Sequence, residues 1–199
     1  SRGLGDVYKR QVIHCHSENS RYDSTVSVKD LCKKAKELGY EAISLTDHGT
    51  LSGIDDFIEA AKANDIKPIP GVELYVKDND DEPRKHLILV AADDLGYQGL
   101  CKIVTETNYH IDSYGYPLAS KEMVRDFFGK ESVYHGHVIA TSACVGGVLA
   151  SILSSPLENM REIEKLNKAI KKLSPISPER EQLILDKEKK WQEELEALQ

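Results

Sequence analysis

The sequence predicts an α/β fold with a mostly parallel sheet or barrel. Short β-branched runs alternate with amphipathic segments from Val12 to about Leu153, and the residue types able to do chemistry gather where those runs end. The runs are residues 12–16 (VIHCH), 41–46 (EAISLT), 67–76 (KPIPGVELYV), 86–91 (HLILVA) and 137–142 (HVIATS). Ser27-Val-Lys-Asp30 and Ser52-Gly-Ile-Asp55 each place a hydroxyl at a helix N-cap with a carboxylate three residues on. Behind them, Val28, Leu31, Cys32 and Ala35, then Ile54, Phe57, Ile58 and Ala61, follow the i, i+3, i+4, i+7 spacing of a helix face packed on a sheet.

A chain of 199 residues allows one domain, or one with a small appendage, and excludes a complete replicative polymerase. Residues 1–11 follow neither period and are expected to be an extraneous or disordered leader, which leaves 12–154 as the domain. After Ser155 glycine vanishes and Lys and Glu alternate with spaced leucines. Ile163, Leu166, Ile170 and Leu173 fit a heptad seam, and Ser-Pro-Ile-Ser-Pro at 174–178 breaks it. Ile184, Trp191, Leu195 and Leu198 resume the spacing, so 155–199 is expected to be an α-helical hairpin with two solvated faces. With 26 Lys+Arg against 33 Asp+Glu the net charge is -7, which argues against tight unaided binding to a phosphate backbone. No apolar run approaches the roughly 18 residues of a membrane span. Cys15, Cys32, Cys101 and Cys144 form no C-x-x-C pair, and there is no signal-peptide pattern, so reduced thiols in a cytoplasm are expected. Cys15, Cys32 and Cys101 are read as packing residues.

Two imidazoles two residues apart on a strand, His14 and His16, point to one side, as a metal-ligand pair requires; two polar residues on a solvated edge are the alternative. Asp23 follows in a loop, as a ligand or a turn capper. His48, in Thr46-Asp47-His48-Gly49, ends an apolar run before a glycine that permits a sharp turn. It either projects into a pocket or is packed, with Asp47 capping the next helix. Glu73 lies in the apolar stretch Gly71-Val-Glu-Leu-Tyr-Val, where an unpaired carboxylate costs several kcal/mol, so it needs a cation unless its face of the strand meets water. His86 opens its run. Cys144 precedes Val145-Gly146-Gly147, a setting for a thiolate near a ligand, although buried cysteine is common as a small hydrophobe. His110, His135 and His137 read as ordinary loop or edge residues. Together the candidate ligands exceed what one tetrahedral zinc uses and suit two or three ions, whose natural reaction is hydrolysis of a phosphate ester. No G-x-S-x-G, G-x-x-x-x-G-K-[ST] or G-x-G-x-x-G is present.

The strings HCHSENS with Asp23, KAKELGYEAISLTDHGTLSG, IKPIPGVELYV, HLILVA with GYQGLCKIV, and TSACVGG resemble, in order, the polymerase and histidinol phosphatase (PHP) domain. More narrowly they resemble that domain at the N-terminus of bacterial DNA polymerase III alpha subunits. The resemblance implies a distorted (β/α)7 barrel with up to three divalent ions, zinc or manganese. By position, His14, His16 and a bridging Glu73 hold one ion, Glu73, His86 and Cys144 a second, and Asp23 with His48 a third, with His14, His16 and Glu73 carrying catalysis. It also implies a 3′–5′ proofreading exonuclease in some members, and a parent polymerase in the cytoplasm that uses Mg2+, DNA primer–template and other replisome subunits, with no membrane.

The family completes its site with an Asp-x-His pair on a late strand. No histidine follows His137, so the barrel is expected to be incomplete at its C-terminus, with the hairpin inserted there. Two other functions stay open: a free-standing phosphatase acting on a small phosphate ester, and a non-catalytic scaffold that metals hold together. An H-x-H amidohydrolase barrel is more remote, because no lysine stands at a strand end to bridge metals.

Overall fold

A computed structural model describes residues 11–20, 23–79 and 82–151. The expected hairpin, with its seam residues, lies outside the described residues. The chain divides into two compact units, residues 1–148 and 149–199, and the first contains every element below.

A short strand β1 (Gln11–Val12) leads to α1 (Val28–Glu37), β2 (Ala42–Leu45), α2 (Ile54–Ala63) and the long β3 (Lys67–Val76). β1, β2 and β3 pair in parallel, with Val12 opposite Ile43 and Leu45 opposite Pro70. Pro68 and Pro70, which lack amide donors, fall where β2 is the neighbour and before pairing on the other edge begins at Gly71. The helices α1 and α2 pack on this parallel portion. Val28, Cys32, Ala35, Ile54, Phe57 and Ala61 close over Ile43 and Leu45, as the spacing predicted. Ser27 caps α1 by accepting the Asp30 amide, and its hydroxyl also donates to the Asp30 carboxylate. The second capping box does not form: Gly53, not Ser52, is the N-cap of α2, with no side-chain bond, and Ser52 is turned toward Thr50 and Asn19.

Beyond β3 the sheet is mixed rather than mostly parallel. β4 (Lys85–Ala91) runs antiparallel to β3, with Glu73 opposite Ile88 and Tyr75 opposite His86, and β6 (Val138–Thr141) runs antiparallel to β4. The reason is local, because residues 77–84 are too few for the crossover that a parallel neighbour needs. α3 (Asp94–Thr107), β5 (Leu118–Ala119) and α4 (Lys121–Phe128) lie between β4 and β6. Val72, Leu74, Val76 and Leu89 form a second core with Leu100 and Ile103 of α3. β5 pairs in parallel with Tyr75 and Val76, so β2 and β5 follow one another along one edge of β3. Among the described residues the sheet is open, in the order β1-β2-β3-β4-β6. No helix among them is long and apolar enough to cross a membrane.

Among the described residues Phe57 is the largest fully buried side chain, in the core that α1 and α2 form over the parallel strands. Phe57→Ala is expected to cost about 3–5 kcal/mol, read as a lower denaturation midpoint at unchanged slope.

Candidate metal centre

The site forms where one edge of β3 passes from β2 to β5. Three backbone elements meet there. After β2 the chain runs on as Thr46–Gly49, and the Glu73 amide donates to the Asp47 carbonyl while the Gly49 amide donates to the Glu73 carbonyl. His48 is thereby locked beside Glu73 as an isolated parallel bridge. Gly49 has φ +62°, and a Cβ there would come within 2.6 Å of Pro117 Cγ, so only glycine fits this turn. The strand expected at 12–16 ends at Val12. Cys15 nevertheless stays tied to the extension of β2, with Thr46 donating its amide to the Cys15 carbonyl and Thr46 Oγ1 accepting the Cys15 amide. The alternation therefore survives: Cys15 packs into the core, and His14 and His16 both face Glu73.

Asp47 does not cap α2. It is buried, and its carboxylate accepts the Ser17 amide and the hydroxyls of Ser17 and Ser20, each at 2.7 Å. Ser20 Oγ also lies 3.2 Å from His16 Nδ1 and accepts the His48 amide. This network fixes the loop after His16, on which Asp23 sits. Ser17 and Ser20 carried no sequence signal, whereas Tyr75, two residues after Glu73 on β3, was findable by strand alternation. Its ring stacks on His48 at 5.1 Å and meets His86 edge-on at 5.3 Å.

Glu73 has no solvent exposure and is the common partner. Its Oε2 lies 2.9 Å from His14 Nε2, 3.0 Å from His16 Nε2 and 3.7 Å from His48 Nδ1, and its Oε1 lies 2.7 Å from His86 Nδ1. Asp23 Oδ2 is 3.4 Å from His48 Nε2 and 3.6 Å from His16 Nε2. Three overlapping donor sets result: His14, His16 and Glu73; His16, Asp23 and His48; and His48, Glu73 and His86. Cys144 is exposed and belongs to none of these sets, but its Sγ lies 3.5 Å from His86 Nδ1. The tight turn expected at the glycines is present, with Gly146 and Gly147 donating back to Cys144 and Ala143 in the left-handed region. His110, His135 and His137 lie apart from these sets, against Glu106, the Phe128 carbonyl and Asp93.

Burial would raise the Glu73 carboxyl, but the ring nitrogens of His16 and His86 and the charges of His48 and His14 outweigh it and hold the group well below the ordinary carboxylate range. Burial pushes His48 down, and the neighbouring His16 and His86 add to the effect against Glu73. Burial also works on His16, yet contact with Glu73 and the charges of Glu73, Asp23 and Asp47 leave it raised. Away from the site, burial pushes the Cys15 thiol up and Cys32 up to about 11, as suits packing residues.

The donor set fits divalent ions. Glu73 Oε1 and His48 Nδ1 are buried without a hydrogen-bond partner of acceptable geometry, and both belong to one donor set. Orphaned buried atoms of this kind call for an ion or a water. The spacing agrees, because nitrogen and oxygen ligands with bonds of about 2.1 Å at right angles stand roughly 3 Å apart.

A model of the PHP domain matches residues 13–183. The chain belongs to the PHP domain family. Over 162 residues, 77% of the chain, it is 36% identical to the DNA polymerase III subunit alpha of Chlamydia muridarum, and over 178 residues, 82% of the chain, it is 34% identical to that of Aquifex aeolicus. This PHP domain spans 12% and 14% of the length of those relatives. Among solved structures, an amidohydrolase from Chromobacterium violaceum is similar over 47% of the chain and 32% of its own, at 24% identity and TM-score 0.38, too slight to bear on function.

Glu73 serves two donor sets and Asp23 one. Elemental analysis of purified protein should therefore find a larger loss of bound divalent metal in Glu73→Gln than in Asp23→Asn; equal retention in both would contradict the geometry.

Proposed function

We propose that this PHP domain is a metal-dependent phosphoesterase at the N-terminus of a DNA polymerase III alpha subunit, and that it acts as a 3′–5′ exonuclease on a DNA end. The observation supporting it is the set of three overlapping donor groups that share Glu73, His16 and His48. On this reading His14, His16 and Glu73 hold one ion, and Glu73 and His86, with Cys144 beside them and His48 adjoining, hold a second. Asp23 and His48 hold a third, with His16 adjoining. Zinc or manganese suits this mixture of imidazole, carboxylate and thiolate. Bound divalent ions would supply a hydroxide near neutral pH and offset charge that develops on the phosphoryl oxygens.

The protein's own groups prepare that chemistry. Glu73 stays ionised and gives the site its negative charge. His48, held neutral by burial, keeps a lone pair available. Asp47, through Ser17 and Ser20, keeps His16 and the His48 backbone in place, and the Tyr75 ring covers one face of His48.

In this reading the open sheet is the described part of a distorted (β/α)7-type barrel over 12–154 that is incomplete at its C-terminus and is followed by a helical hairpin at 155–199; the leader expected at 1–11 stops short of Gln11, which pairs with Ala42 in β1. The whole subunit would work in the cytoplasm on primer–template DNA with Mg2+ and with other replisome subunits. Incubation with Mn2+ and a 5′-labelled single-stranded oligonucleotide should shorten the strand from its 3′ end, and EDTA should stop it. His16→Ala should cut the rate by more than the ten- to hundredfold that loss of an outer-shell partner costs. Full metal occupancy without shortening would leave the ions a purely structural role.

A further inference from the structure

Next to the donor sets stands an aromatic surface that no step above uses. The turn after α3 is built by Asp112, whose Oδ1 accepts the amides of Tyr114 and Tyr116, each at 2.9 Å, with Gly115 at φ +85°. Arg84, from the connection between β3 and β4, donates to Asp112 Oδ2 at 2.6 Å. Its guanidinium lies 4.0 Å from the Tyr116 ring centre and 5.6 Å from those of Tyr114 and Tyr75. Burial acts on the Asp112 carboxyl, but the two amides and Arg84 prevail and keep it below its ordinary range, so the clamp is charged at neutral pH. Tyr75 and Tyr116 already have ring neighbours, Tyr75 stacked on His48 and Tyr116 under Arg84. Tyr114 differs. The residue is 81% exposed, yet its backbone amide is held by the Asp112 carboxylate, which Arg84 anchors in turn.

Two recesses, of about 540 and 430 Å3, share Tyr75, Tyr114 and Tyr116 in their walls. The first reaches His86 and holds Arg84, and the second reaches His48. Both volumes are in the range of small-molecule sites. An ordered, exposed aromatic between recesses that open at a phosphoesterase centre matches the stacking platform on which proteins seat nucleobases, with an arginine adding cation–π attraction.

We infer that Tyr114, presented by the Asp112–Arg84 clamp, is a stacking platform for the base of the nucleotide whose phosphate enters the donor cluster. The inference rests on the phosphoesterase reading for its choice of ligand. It makes Tyr114 a residue that selects for nucleotides over other phosphate esters, and it draws the ligand from the terminal nucleotide of a strand or from a free nucleotide, which share the base and the phosphate.

The test is a binding measurement on the full chain with Mn2+. Fluorescence anisotropy would compare two 5′-labelled single-stranded octanucleotides whose terminal linkage is a hydrolysis-resistant phosphorothioate, one ending in a 3′ adenosine nucleotide and one in a 3′ abasic residue. The wild type should prefer the base-bearing strand by roughly tenfold or more, Tyr114→Ala should bring that ratio close to one, and Tyr114→Phe, which keeps the ring, should preserve it. Because Tyr114 is exposed, neither variant removes a core contact. Equal affinity for both strands in the wild type, no binding of either, or a ratio untouched by Tyr114→Ala each overturns the inference. Competition with dAMP separates the sources: displacement at a concentration similar to that of the strand assigns the platform to a free nucleotide, and a tenfold weaker effect assigns it to a strand terminus. A base preference that Tyr114→Ala removes, in a protein that cleaves no DNA, would retain the platform and discard the exonuclease.

Discussion

A carboxylate sealed from water in the middle of a strand is the constraint around which this domain is arranged. Burying an ionised carboxyl without counter-charge costs several kcal/mol or more, and among the described residues the ion-pair partners of Glu73 are all imidazoles. Burial first, and then the neighbouring His16 and His86, push His48 down, so the imidazoles do not all carry a proton. The cluster therefore has the character of a cage for external positive charge. Its two orphaned atoms, one on Glu73 and one on His48, mark where that charge is wanted.

The mixed sheet makes this cage reachable from several directions in sequence. The parallel strands β1 and β2 deliver His14, His16 and His48 from the segments that follow them, and the antiparallel β4 delivers His86 from near its start. A sheet of one sense gathers side chains mainly from segments that leave its strands at one end. Here β4 meets β3 with its direction reversed, and the β6 turn adds the Gly146 carbonyl, which accepts the His86 amide at 2.8 Å. Backbone pairing thus fixes the histidines before any ion binds.

Much of this was legible in the sequence, for identifiable reasons. The spacing of Val28, Cys32 and Ala35, and of Ile54, Phe57 and Ala61, gave both helices and their buried faces because helical period and burial agree there. Strand alternation gave the shared direction of His14 and His16 even though hydrogen-bonded strand ends at Val12. The expectation of a mostly parallel sheet does not extend to β4, and the short stretch between Val76 and His86 already left no room for a crossover. Ser52 was misread as a cap because a hydroxyl and a carboxylate at the right interval are also satisfied by a loop, and here Ser52 bonds to Asn19. The role of Asp47 was not legible, since its partners Ser17 and Ser20 lie about thirty residues away and nothing in their local pattern announces them.

The connection between β3 and β4 has an evolutionary corollary. Its described residues, 77–79 and 82–84, lie beside the donor cluster, yet the ladder from Gly71 to Val76 is complete without them. Lengthening, shortening or recharging that segment would remodel the approach to the donor cluster while the strands that carry it kept their register. Relatives that share the histidines and differ in this stretch should therefore diverge in selectivity sooner than in chemistry.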